Sequence, residues 1–288
     1  MRQPTLSIIT INLNNREGLH RTITSVIEQT FSNFEWIVID GGSTDGSLEL
    51  IEQCAEHFSY YVSEPDLGIY NAMNKGIAHA NGKWLQFLNS GDALYEKSTL
   101  AKVFESEHKD ADIVYGDCYL EYGHYGKMKY HPDDLSLSFF FQSTINHQCT
   151  FYRQELFRTY RYTEQYTIIS DWIAYFHFVF DGCKFHHVKI PIARFDTNGI
   201  SNSHTDKREN ERKMFLDTAF PLIVRRDIDT LIHYNETLNR LKSHRSTSIL
   251  LKLLKALLTF LQRMQCLLGT VKKTFRTHFF NNAHHLNQ

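Results

Sequence analysis

The chain has 288 residues, 42% apolar and 22% charged, which suits one large globular domain or a domain with an appendage and argues against disorder. With a net charge of −1, no nucleic-acid partner is expected. Its five cysteines, Cys54, Cys118, Cys149, Cys183 and Cys266, form no Cys-x-x-Cys pair, which argues against a disulfide framework and a zinc site and fits a reducing cytosol.

In chain order, residues 6–12 are apolar on both faces and predict a first buried strand. Asn14 or Asn15 can cap a helix to about residue 29, with Leu19, Ile23, Val26 and Ile27 on one face. No Gly-x-Gly-x-x-Gly follows that strand, so a nicotinamide dinucleotide enzyme is not expected. Residues 36–40 predict a second buried, parallel strand that stops at Asp40 and turns through Gly41, Gly42 and Gly46. Ligands of such sheets bind beyond the carboxyl ends of the strands, so Asp40 stands where a ligand would be; the alternative is a tight turn with a capping Asp. Ser43 or Thr44 is placed to cap a helix over roughly 45–57. A short strand over 60–62, a helix over about 69–80, a strand over 84–88, a helix near 98–106 and a strand over 112–116 follow. The alternation predicts an α/β sheet with helices on both faces. Farther on, 118–129 predicts a hairpin, 135–141 an apolar patch read as core, the alternative being an acceptor contact, and 147–152 a strand. Ser170 opens a helix to about 180, and 184–196 reads as two short strands.

Three ordered motifs then carry a resemblance: Asp40-Gly41-Gly42-Ser43; Glu64-Pro65-Asp66-Leu67-Gly68-Ile69-Tyr70-Asn71-Ala72-Met73-Asn74-Lys75-Gly76; and Leu88-Asn89-Ser90-Gly91-Asp92. With them, the chain from about Leu6 to Ser201 resembles the family 2 glycosyltransferases, nucleotide-sugar-dependent enzymes of the GT-A fold, and within them the bacterial polysaccharide and O-antigen enzymes. The resemblance implies a Rossmann-like mixed sheet flanked by helices, with a nucleotide-sugar half over about 1–116 and an acceptor half over about 117–236. It sets Asp40 against the nucleobase; Thr10 and Asn12 end the neighbouring strand beside the same pocket, and Asp66, in a Gly-containing loop at another strand end, is expected in the nucleotide site, the alternative being a turn cap. Asp92 matches the last carboxylate of the family's Asp-x-Asp motif, which holds Mn²⁺ or Mg²⁺ on the diphosphate. Asn89 stands at the first carboxylate position and Gly91 before Asp92, so one carboxylate remains in the turn with Ser90. One is physically sufficient when phosphates and water complete the shell, and the Asn89 carbonyl can still accept from ribose or water.

Lys75 either offsets diphosphate charge or is a solvated helix lysine. His147 and Gln148 match a His-Gln pair and are expected to touch acceptor or pyrophosphate, the alternative for His147 being a structural role. Asp171 matches the catalytic aspartate, with Ser170 in place of the usual Glu; as general base it would take the acceptor's proton in a displacement that inverts the anomeric centre. The alternative for Asp171 is a helix cap. Trp172 offers a flat face to a sugar, and 196–201 matches a loop expected to close over the donor. The pairs His186-His187 and His284-His285 have no ligand-spaced partners and read as surface residues.

The near-neutral total hides an asymmetry. No acidic residue follows Glu236 but nine basic ones do, leaving 22 of the 31 basic residues against all 32 acidic ones up to and including it. The chain therefore reads as a catalytic body, 1–236, and a basic tail, 237–288. Over 247–268, Leu250, Leu253, Leu254, Leu257, Leu258, Leu261, Met264 and Leu268 share one helical face, and Lys252, Lys255, Thr259 and Arg263 the other. Charges interrupt the run too often for a span of ~20 apolar residues, so the tail is expected to lie on an anionic membrane surface through 245–276. The alternative is a helix packed on the domain or on a second copy in a homodimer. No secretion signal precedes the first strand, so the enzyme is expected to be cytoplasmic, peripheral on the inner face of the membrane.

The expected function is an inverting, metal-dependent glycosyltransferase moving one sugar from a nucleoside-diphosphate sugar, a UDP-sugar, to a glycan or lipid-linked glycan. The processive relatives' Gln-x-x-Arg-Trp and membrane spans are missing, which favours single addition. The alternative is a nonenzymatic nucleotide-sugar-binding or glycan-assembly protein.

Overall fold

The computed structural model describes residues 3–105, 108–197 and 205–242, and five further helical positions, Leu253, Leu254, Ala256, Leu257 and Phe260. Most of the amphipathic stretch 247–268 and the loop 198–201 therefore lie outside the described residues. The first of two compact units takes in the described residues up to Leu135 and from Thr144 to Arg208.

Its sheet has nine strands: β1 (Leu6–Asn12), β2 (Phe34–Asp40), β3 (Tyr60–Ser63), β4 (Trp84–Phe87), β5 (Ala93–Leu94), β6 (Ile113–Tyr122), β7 (Tyr125–Lys129), β8 (Thr150–Arg153) and β9 (Phe185–Asp196). The order is β3-β2-β1-β4-β8-β6-β9-β5, with β7 a hairpin partner of β6. Between them come α1 (Arg16–Ile27), α2 (Ser47–Gln53), α3 (Ile69–His79), α4 (Thr99–Val103), α6 (Leu156–Thr159) and α7 (Ser170–Phe180), with α5 (Leu137–Gln142) counted in chain order and belonging to the second unit.

Successive strand residues point to opposite faces, and both faces are covered. Leu6, Ile8, Trp36, Val38 and Trp84 share a core with Leu19, Ile23 and Val26 of α1, Leu50 and Ile51 of α2, and Leu100 and Val103 of α4. On the other face Phe87 meets Phe157 of α6 with ring centroids 5.7 Å apart, and Phe157 meets Phe178 of α7 at 6.0 Å. Each such side chain stabilises the fold by about 1.5–3 kcal/mol relative to exposure.

Asn15 caps α1 by accepting from the Gly18 amide. Neither Ser43 nor Thr44 caps α2: the helix starts at Ser47 after Gly46, Asp45 accepts from the Ser47 amide, and the Ser43 hydroxyl turns to Asp40. The two short strands expected over 184–196 are one, β9, because Pro191, which has no amide to give, falls opposite Asp117 where the β6–β9 register shifts. His147 to Cys149 form a 3-10 turn that leads into β8.

The second unit takes in 136–143 and the described residues beyond 208. In it Phe141 and Phe220 meet at 5.1 Å between ring centroids, and Phe220, Val224, Ile228 and Leu231 make a buried stripe at helical spacing as the helix Leu222–Lys242 is entered and followed. Among the described residues no helix is long and apolar enough to cross a membrane.

Candidate functional site

Strand direction gathers the site. β1 to β4 are parallel and end on one edge; β8 is antiparallel to β4 and so begins there, and β6 and β9, both running against β8, end there. That edge therefore carries Asn12, Asp40, Ser63, the 88–92 turn, Glu121, His147 and Asp196. It is where open α/β sheets receive ligands.

Asp40 is the register partner of Asn12 on one side and Ser63 on the other. Its Oδ1 accepts from Asn12 Nδ2 at 2.7 Å and Ser43 Oγ at 2.6 Å, and its Oδ2 from Ser63 Oγ at 2.6 Å and the Ser43 amide at 2.9 Å. Burial pushes its pKa up, but the Ser43, Ser63 and Asn12 bonds outweigh burial and hold it below the usual carboxylate range. All four lone-pair positions are used by the protein and the residue is fully buried, so the expected nucleobase partner ties three strand ends together. Beside it, Asn12 Oδ1 is a buried acceptor with no partner among the described residues.

Thr10 is fully buried and its hydroxyl accepts from Trp36 Nε1 at 3.0 Å, which places it in the core below this edge. Asp66 accepts from the Gly68 amide at 2.8 Å. Its other oxygen lies 2.5 Å from where a Cβ on residue 41 would stand, so a side chain at Gly41 would have to displace the Asp66 carboxylate.

The second cluster centres on Asp171, in the first turn of α7. Its Oδ1 accepts from Tyr70 Oη and from the Trp172 amide, each at 2.9 Å, and its Oδ2 lies 3.0 Å from His147 Nδ1. Burial acts to raise its pKa, but His147 and Tyr70 overcome this and keep it low. His147 shows the converse: burial acts to lower its pKa, and the Asp171 bond and the Asp92 charge raise it. The other ring nitrogen, Nε2, lies 3.3 Å from Asn89 Nδ2, and Asn89 Oδ1 is buried without a partner among the described residues.

Asn89 begins the turn that ends in Asp92, closed by the Asp92 amide on the Asn89 carbonyl at 3.0 Å and opened to that shape by Gly91 at φ +102°. Ser90 anchors the turn through its amide on the Ile11 carbonyl and its carbonyl on Asn15 Nδ2. Asp92 is 5% exposed, and burial raises its pKa to about 7 despite the nearby charges of His147 and Arg21. Its Oδ1 accepts from the Asp196 amide at 3.3 Å, and the Asp196 carboxylate pushes the pKa in the same direction as burial. Arg21 donates to the Gly91 carbonyl and pairs with Glu121 at 2.9 Å. Tyr70, Arg21 and the closeness of Asp196 to Asp92 are not legible in the sequence, since only the fold brings them there, although Tyr70 lies within the 64–76 motif.

Other expected site residues lie differently. Lys75 pairs with Glu64 at 2.6 Å and reaches the Pro65 carbonyl. Gln148 is 1% exposed, its carbonyl bonded to the buried Gln86 amide and its own side chain turned into the same interior. Trp172 is 2% exposed and meets Phe176 edge-on, so its ring has no open face for a sugar. His187 is no surface residue: its side chain is 6% exposed, held between Asp117 at 3.1 Å and Asp133 at 2.7 Å, with its ring stacked at 4.9 Å on that of its register partner Tyr115.

Among the described residues no group of three or more His, Cys, Asp or Glu is placed to hold a metal. A site of one or two carboxylates completed by phosphate oxygens and water needs no such cage. Asp92, buried with Asp196 beside it and the unpartnered Asn89 Oδ1 in the same turn, fits a hard cation of that kind.

A family model described as Glycosyl transferase family 2 matches residues 7–178. A PGL/p-HBAD biosynthesis glycosyltransferase of Mycobacterium bovis (strain BCG / Pasteur 1173P2) is 37% identical over 178 residues, covering 60% of this chain and 68% of the relative. Residues 1–349 of S. aureus TarS in complex with UDP-GlcNAc share the fold at a TM-score of 0.58 and 17% identity, over 77% of this chain and 70% of that one. The mannosyltransferase PcManGT from Pyrobaculum calidifontis, in complex with GDP-Man and Mn²⁺, does so at 0.53 and 15%, over 67% and 57%. With the family's motif residues ranged along one sheet edge and its model covering most of the length, this chain belongs to the family 2 glycosyltransferases and has their GT-A fold.

Proposed function

We propose that this glycosyltransferase moves one sugar from a nucleoside-diphosphate sugar, a UDP-sugar, to a growing bacterial surface glycan, with inversion at the anomeric carbon. The carrying observation is that Asp171 and the Asp92 turn are joined through a single residue, His147. Asp171 takes the proton of the acceptor hydroxyl. The acceptor oxygen bonds to the anomeric carbon from the face opposite the diphosphate, the old carbon–oxygen bond breaks, and its electron pair leaves on the diphosphate. A divalent cation, Mn²⁺ or Mg²⁺, held by Asp92 with Asp196 at its flank, would offset the charge on the departing diphosphate. Asn12, Asp66 and the Asp40 knot form the wall for base and ribose. The UDP-GlcNAc, GDP-Man and Mn²⁺ of the two solved relatives support this donor class.

Asp171→Asn tests the reading, because Asn keeps size and capping ability but takes up no proton. It should bind UDP with Mn²⁺ as the parent does and transfer sugar about 10²–10⁴-fold more slowly. Near-parental transfer would make Asp171 a helix cap, and a parent that binds donors without ever turning them over would favour the nonenzymatic alternative.

The body, 1–236, carries the chemistry in this reading, and the basic tail holds it on the inner face of the cytoplasmic membrane. Deleting 245–288 should release the protein from anionic vesicles and leave UDP binding intact. Equal vesicle binding by the truncated protein overturns the membrane assignment.

A further inference from the structure

The bonding of Asp171 leaves an asymmetry between its two oxygens. A carboxylate has four lone-pair positions and cannot donate when ionised. Oδ1 spends both of its positions on Tyr70 Oη and the Trp172 amide. Oδ2 spends one on His147, whose Nδ1 must therefore carry the hydrogen of the 3.0 Å contact. That holds whichever way the Asn89 amide is turned. As placed, its Nδ2 donates to Nε2 and the ring is neutral; turned over, its buried Oδ1 accepts from Nε2–H and the ring is an imidazolium. In either state one lone pair of Asp171 stays open among the described residues, on Oδ2, and the His147 bond selects it.

The imidazole is itself held. Its side chain is 17% exposed, it begins the 3-10 turn that the Cys149 amide closes on the Asn146 carbonyl at 2.9 Å, and its far nitrogen rests on Asn89. We propose that His147 is a positioning residue of the transfer reaction, its Nδ1–H fixing which lone pair of Asp171 receives the acceptor's proton. This rests on the reading of Asp171 as the base. The proton passes from the acceptor oxygen to Asp171 Oδ2 as the new glycosidic bond forms, and the His147 bond persists onto the resulting carboxylic acid.

Three substitutions in the full chain separate the contributions. His147→Asn carries an amide nitrogen where Nδ1 stands, His147→Gln carries one where Nε2 stands, and His147→Ala carries neither. Turnover is followed as nucleotide released, with Mn²⁺, from the member of a panel of UDP-GlcNAc, UDP-glucose, UDP-galactose, GDP-mannose and dTDP-rhamnose that the parent uses fastest. His147→Ala and His147→Gln should lower kcat about 10²-fold, the scale of a misplaced reacting group, with the donor KM unchanged. His147→Asn should restore most of the loss. In an Asp171→Asn background all three should have no further effect, because the group they position is gone.

A rise in KM with kcat intact would make His147 a donor contact and overturn the proposal. So would equal activity of the Asn and Gln variants, or losses that multiply with that of Asp171→Asn. If His147→Ala fails to fold, the Asn and Gln variants decide alone. Failure of the underlying reading looks different: Asp171→Asn would then work at nearly the parental rate, or the parent would turn over no donor in the panel.

Discussion

The Tyr70 hydroxyl donates to Asp171 Oδ1 at 2.9 Å across 101 positions of sequence, joining the first turn of α3 to the first turn of α7. Burial raises the phenol's pKa, and the Asp171 charge raises it further, so Tyr70 stays a donor throughout the working range. The bond favours ionised Asp171. Tyr70→Phe keeps the ring beside Tyr162 and removes the donor. A hydrogen bond to a charged group favours its ionised form, so losing this donor should raise the Asp171 pKa. The acidic limb of the pH–kcat profile should move upward accordingly, costing activity on the acidic side of the profile and little at pH 8. An unmoved limb would mean that Asp171 is not the group titrating there.

Asp92 and Asn89 should separate in a metal titration. Asp92→Ala is expected to abolish the enhancement of UDP binding by Mn²⁺, and Asn89→Ala to weaken it in part. Because burial lifts Asp92 to about 7, the carboxylate is increasingly protonated below that pH. The Mn²⁺ enhancement in the parent should therefore be larger at pH 8 than at pH 6. Calorimetry with Mn²⁺ and with chelator measures both, and an undiminished enhancement in Asp92→Ala would move the cation elsewhere.

Thr10→Val tests whether that hydroxyl serves the fold or the ligand. It leaves the buried Trp36 Nε1 without its acceptor, a loss on the order of 1–3 kcal/mol. Denaturant unfolding should show that loss while UDP affinity holds. Weaker UDP binding at unchanged stability would return Thr10 to the nucleotide pocket.

His131 should sensitise the fold to acid. It is 5% exposed, its Nδ1 donates to the Gly116 carbonyl at 2.8 Å, and Nε2 is buried without a partner among the described residues. Burial, helped by the Lys129 charge, lowers its pKa to about 4. The unfolded chain, with an ordinary histidine pKa, binds the extra proton first, so stability is lost as pH falls from about 6.5 toward 4. The loss should be on the order of 1–3 kcal/mol. Urea midpoints for the parent and His131→Gln at pH 7.5 and 5.0 check it: the variant should lose less between them, and an equal loss would place the acid sensitivity elsewhere.

Apolar runs made β1, β2 and β4 legible, since a strand buried on both faces has few other ways to satisfy its residues. The capping of α1 by Asn15 and the opening of α7 at Ser170 were legible for the same local reason. Long-range register was not. Only the pairing of Asn12 with Asp40 and of Asp40 with Ser63 shows the carboxylate saturated from its own sheet. The stretch 184–196 read as two strands because its continuity is set by pairing with β6, against which β9 carries extra residues on either side of Pro191. Trp172 and Gln148 stand beside motif residues in sequence, but one step along a helix or a tight turn rotates the side chain from the edge into the interior.

The knot at Asp40 has a consequence for molecular recognition. Asn12, Ser43 and Ser63 fasten three neighbouring strand ends to one carboxylate, so those ends move as a single body. A donor bound there as proposed would meet a floor whose ordering entropy was lost during folding, so that little of its binding free energy would go into assembling the wall. Altering donor preference by engineering should then succeed in the loops that overhang this floor, whereas changes to the knot itself would loosen the frame against which any new preference has to be built.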